Sequence, residues 1–71
     1  MNIDIRKSII NNFTNSKNDE IKASITSAIN EKDEVTLPGM GVFFELLWQN
    51  SDEGSKKYIL NTLEKALSKN N

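Results

Sequence analysis

One seven-residue run, Val42-Phe43-Phe44-Glu45-Leu46-Leu47-Trp48, holds six apolar residues and three of the chain's five aromatics. A chain of 71 residues has little other material with which to cover such a segment on several sides. Small domains have thin cores, and this one has no cysteine, so no disulfide can staple it. Histidine is absent as well, which removes the usual zinc donors, the His acid–base relay and the Ser-His-Asp triad. The fold has to be built around that run by packing helices, within a single domain covering residues 1–71.

The flanking segments have the period such packing needs. Ile5, Ile9 and Phe13 recur at i+4 with Ile10 beside them, which predicts a helix over about Ile3 to Phe13. Thr14-Asn15-Ser16 interrupts it, because these side chains compete for backbone hydrogen bonds. Ser16 stands three positions before Asp19 in a capping-box pattern, and Ile21, Ile25, Ala28 and Ile29 follow at i, i+4, i+7 and i+8. A second helix is expected from about Lys17 to Glu31, ending in the charged run Glu31-Lys32-Asp33-Glu34.

Pro38-Gly39-Met40-Gly41 reads as a loop before the third helix. Pro38 disfavours the α region at Leu37, and the two glycines permit positive φ or a close backbone approach. In the third helix the polar stripe is Gly41, Glu45 and Gln49, which places Glu45 at a solvated edge. Asn50-Ser51-Asp52-Glu53 supplies an N-cap with acids in the first turn of a fourth helix. There Tyr58, Ile59, Leu60, Leu63, Ala66 and Leu67 continue to about Ser68, with Asn70 and Asn71 expected to fray. The expected fold is all-α, a small bundle of about four short helices.

Candidate chemistry is sparse. Gly39-Met40-Gly41 lacks the third glycine and the preceding strand of a dinucleotide fingerprint, and reads as a packing turn. Glu45, the one charge in the apolar run, could act as a general acid if its pKa were raised, but the stripe places it in water. Asp33/Glu34 and Asp52/Glu53 are adjacent pairs without the spacing of a calcium loop. Neither a cofactor nor a metal is expected. Arg6, Lys7, Lys56 and Lys57 are isolated basic pairs able to contact phosphates, yet the net charge of −1 offers no field that favours nucleic acid. No stretch approaches the roughly 20 apolar residues of a membrane span, and Met1 to Lys7 lacks the pattern of a signal peptide. The segment from Leu37 to Trp48 has two readings: the central helix of the bundle, or in part a surface for a partner or a second copy.

Two families share features with that segment. Glu34 to Phe44 resembles the strand-turn segment of histone-like bacterial DNA-binding proteins, but the likeness stops at Leu46-Leu47-Trp48, where those proteins continue into a basic arm. A likeness spanning nearly the whole chain is to the minor small acid-soluble spore proteins of the I type, from endospore-forming Firmicutes. It rests on Ile3-x-Ile5-Arg6 with Asn12, on Ala28-Ile29, on Leu37-Pro38-Gly39-Met40-Gly41-Val42-Phe43-Phe44-Glu45 with Trp48, and on Thr62-Leu63-Glu64. Met40 stands where the family usually has Leu. The resemblance implies a protein made in the forespore compartment and kept in the spore core, distinct from the abundant DNA-coating spore proteins; with His and Cys missing as well, a non-enzymatic structural or binding component is expected. It marks Leu37, Pro38, Gly39, Gly41, Val42, Phe43, Phe44, Glu45 and Trp48 as family motif and possible partner surface. The alternative is a nucleic-acid accessory protein using Arg6, Lys7, Lys56 and Lys57.

Overall fold

Each helix in the computed structural model begins or ends at a side chain able to satisfy its orphan backbone groups. The structure describes residues 4–69; Ile3 of the first expected helix and the expected fraying at Asn70 and Asn71 lie outside them. Four helices follow in order: α1 (Ile5–Phe13), α2 (Asn18–Glu31), α3 (Leu37–Gln49) and α4 (Glu53–Lys69), with a 3-10 turn at Glu34–Thr36 before α3. The fold is all-α, as the periodicity predicts.

Asp4 caps α1, its carboxylate accepting from the Lys7 N–H at 3.0 Å. Thr14 closes that helix by donating to the Ile10 carbonyl at 2.6 Å, and Asn15 turns the chain with φ of 70°. The cap of α2 is one residue later than the Ser16–Asp19 pattern suggests: Lys17 N–H donates to Glu20 Oε1 at 3.1 Å. The i+3 carboxylate serves, but Glu20 provides it, because the helix starts at Asn18. At the other end of α2, Lys32 takes the left-handed conformation with φ of 53° and breaks the helix.

The expected Pro-Gly-x-Gly loop is instead the first turn of α3. Leu37 is helical, at φ −59° and ψ −42°, despite the proline that follows it. The turn from Glu34 to Thr36 takes over the connection: Asp33 accepts from Val35 N–H at 3.0 Å, Thr36 Oγ1 donates to the Asp33 carbonyl at 2.8 Å, and Leu37 N–H bonds to Glu34. With that start in place, Pro38 falls where a helix has no use for its N–H. Neither glycine of the motif has positive φ. A Cβ on Gly39 would lie 3.3 Å from Ile9 Cδ1, whereas one on Gly41 would meet nothing within 4 Å. Close approach therefore explains Gly39 alone.

α3 is the central element. α1 packs on it most extensively, through Phe13 set edge-to-face on Phe43 at 4.9 Å, and α2 adds a smaller contact. A three-residue connection, Asn50 to Asp52, leads into α4. Asn50 Nδ2 donates to the Leu46 carbonyl at 2.8 Å and Ser51 Oγ to the Leu47 carbonyl at 2.5 Å, ending α3. Asp52 then caps α4 by accepting from the Ser55 N–H at 2.8 Å, as the acidic cluster there predicts.

Candidate functional site

Packing divides the apolar run in two. Val42, 6 % exposed, is the one buried residue among those described. Phe43, Leu46 and Met40 are half-buried on the same side of α3, facing α1 and α2. Leu37 (59 %), Phe44 (44 %) and Leu47 (51 %) are exposed. A helix with apolar residues on nearly all of its circumference buries all of them only if neighbours surround it. Here α1 and α2 cover one flank. The segment is the central helix, and it keeps an apolar flank that no other helix covers.

Phe44 and Leu47 of that flank border the mouth of a groove of about 670 Å³ between α1, α2 and α3. Its floor is Met40, Phe43, Leu46 and Leu47, its walls Ile9, Ile10, Phe13, Ile21 and Ile25, and no ionisable side chain lines it. A second recess of about 360 Å³ sits at the α3–α4 elbow, bounded by Gly41, Phe44, Trp48 and Leu60. Phe44 and Trp48 stack there at 6.2 Å, and Lys56 Nζ lies 5.2 Å from the Trp48 ring centroid, within cation–π range.

Glu45 is not the free solvated edge its stripe suggests. Arg6 Nε donates to both of its carboxylate oxygens, at 2.7 and 2.9 Å, joining α1 to α3 across 39 positions of sequence. That hydrogen bond holds the Glu45 carboxyl below its ordinary value, and the same bond raises the Arg6 guanidinium. A general acid at neutral pH needs the opposite shift, so Glu45 is an ion-pair anchor. Asp52 is likewise lowered, by the bond it accepts from the Ser55 backbone.

The four basic residues set apart in the sequence are only partly at liberty. Arg6 is engaged by Glu45; Lys56 lies over Trp48 and 4.0 Å from Glu53. Lys7 and Lys57 are exposed on α1 and α4. Among the described residues no group of three or more acidic side chains is placed to hold a metal ion, and no helix is long and apolar enough to cross a membrane.

The fourth helix is where the sequence predicts it, but the exposure of its leucines was not legible there: Leu60 (52 %), Leu63 (42 %) and Leu67 (66 %) are exposed along one face. The signal was present as spacing of three and four, but spacing reports which residues share a face and not whether anything covers it.

Comparison with known proteins agrees with the motif. A family model described as small, acid-soluble spore protein I matches residues 3–67. Proteins named small, acid-soluble spore protein I from Bacillus mycoides (strain KBAB4), Bacillus cereus (strain G9842) and Bacillus anthracis (strain A0248) are each 38 % identical over 69 residues, 97 % of this chain and all of the relative. No solved structure matches.

Proposed function

This chain belongs to the small, acid-soluble spore protein I family, and from that premise we propose that it is a non-enzymatic binding or structural component of the spore core. The observation carrying this reading is the uncovered apolar flank of α3, where Phe44 and Leu47 border a groove with no ionisable lining. Such a surface suits a macromolecular contact and supplies no proton donor, nucleophile or charge for catalysis. The one acid embedded in that segment, Glu45, is held ionised by Arg6. The motif residues Leu37, Pro38, Gly39, Val42 and Phe43 build and orient α3, Trp48 lies at the elbow with α4, and Phe44 borders both the groove and the elbow recess.

Fractionation of sporulating cultures tests the reading. Immunoblots of decoated dormant spores should carry the protein in the core fraction, with no signal from vegetative cells; equal amounts in growing cells would overturn it. A phosphate-binding role would show as a DNA anisotropy change that weakens linearly with log salt and disappears in a Lys7→Glu, Lys57→Glu variant. With Arg6 and Lys56 already engaged within the chain, the expected result is no change with duplex DNA at about 50 mM salt.

A further inference from the structure

We propose that the uncovered groove between α1, α2 and α3 receives the α4 helix of a second copy of this chain, the two copies exchanging α4 about a two-fold axis. The inference rests on the reading of the α3 flank as a docking face and names its occupant.

Area is the first argument. A folded monomer of this mass exposes about 4,500 Å², whereas this chain exposes 6314 Å². The surplus, about 1,900 Å² per copy, exceeds the roughly 800 Å² per partner of an ordinary interface and falls in the range of obligate homodimers. The Cα radius of gyration, 13.7 Å, is likewise larger than the about 11 Å expected for a compact chain of this length. A second copy, able to cover the groove and the α4 face together, is the occupant that accounts for a surplus of this size.

Complementarity is the second. The groove is lined by aliphatic and aromatic side chains with Thr14 at its rim. α4 presents Leu60, Leu63 and Leu67 along one face, with Glu64 at its edge in the same recess and Lys65 on the opposite side. Seventeen residues of helix are about 25 Å long, and such a ridge fills a groove by inter-helix packing. Each copy carries this ridge and this groove, so a reciprocal exchange engages both.

The α4 helix is not placed to close its own groove. It leaves α3 on the Gly41–Trp48 side, where Leu60 borders the elbow recess, whereas the groove opens on the Met40–Leu47 side. The connection is three residues long, and all three are committed: Asn50 and Ser51 to α3 carbonyls, Asp52 to the α4 N-terminus. Folding back within one chain would break these bonds. Pairing α4 with α4 alone would leave the groove open and rest on one short leucine seam.

The chain's lack of cysteine makes the test clean. Leu47→Cys and Leu63→Cys chains, prepared separately, are mixed and oxidised; exchange predicts that the mixed Leu47→Cys–Leu63→Cys disulfide dominates over both symmetric ones. Sedimentation equilibrium of the unmodified chain should give twice the 8.0 kDa chain mass at about 10 µM and above. Leu63→Glu and Leu47→Glu should each lower that mass to the monomer, with circular dichroism reporting retained helix. Dominance of the Leu63→Cys symmetric disulfide, or a dimer indifferent to Leu47→Glu, would overturn the exchange. So would a monomer at every concentration; the spore-core reading would then stand or fall on its own fractionation test.

Discussion

Gly39 and Gly41 stand two positions apart in α3 and meet different surroundings. A methyl group at 41 points into open space, and one at 39 presses on Ile9 Cδ1. Glycine within a helix costs about 0.5–1 kcal/mol relative to alanine. Gly41→Ala should therefore raise stability by about that amount, measured by urea unfolding, whereas Gly39→Ala should gain less or lose; the reverse order would contradict the Ile9 contact. Glu45 carries the second residue-scale expectation. Its carboxyl and that of Asp52 are lowered from ordinary values of 4.5 and 3.8. A lowered acid stabilises the fold fully above its ordinary pKa, and that contribution is lost as pH falls through the folded value. Unfolding midpoints should thus be flat near neutrality and drop below about pH 4. Glu45→Gln should cause a small loss at pH 7 and soften the acid drop, with added salt shrinking the difference. Periodicity put Glu45 on the polar stripe of α3 and had no means of finding Arg6, 39 residues away.

Among the described residues helix α3 buries one side chain, Val42, and packs one aromatic pair against α1, so these two contacts are where apolar substitutions should tell most. Val42→Ala should cost about 1–2 kcal/mol by loss of buried apolar area. Phe13→Ala, which removes the edge-to-face contact with Phe43, should cost about 2 kcal/mol, less than the 3–5 of a fully buried ring because Phe13 is half-exposed. Both are read from urea midpoints at one protein concentration. At this scale the sequence was most legible. α1, α2 and α4 are where their apolar period puts them, and Asp52 caps α4 as the acidic cluster predicts. The Pro38–Gly41 segment was misread because proline and glycine are loop residues on average, while proline at a helix start costs nothing. Asp33 and Thr36 bond the preceding turn and so decide between the two outcomes.

For the molecule as a whole, the proposed exchange would tie stability to association. If α4 is exchanged between copies, the melting temperature depends on protein concentration, and a tenfold dilution in the micromolar range should lower it by a few degrees, about the shift of 1 kcal/mol in a domain this small. A melting temperature independent of concentration would contradict the exchange. Leu63→Glu should remove the dependence while leaving α1 and α3 paired, since Leu63 lies on α4 and the Arg6–Glu45 and Phe13–Phe43 contacts do not. Low net charge suits such a pairing, since two copies approach without strong repulsion.

The amino-acid sequence by itself determined the all-α class, the positions of the helices and the family, because helical period, caps and the Leu37–Trp48 motif are local patterns. It also excluded histidine and cysteine chemistry outright. Only the tertiary structure decided which side of the apolar run is covered, that Glu45 is paired with Arg6, and that the leucine face of α4 lies open. Those outcomes depend on where α1, α2 and α4 sit around α3. A residue's spacing along its own helix assigns it a direction, and whether another helix waits there is settled by contacts between segments far apart in the chain.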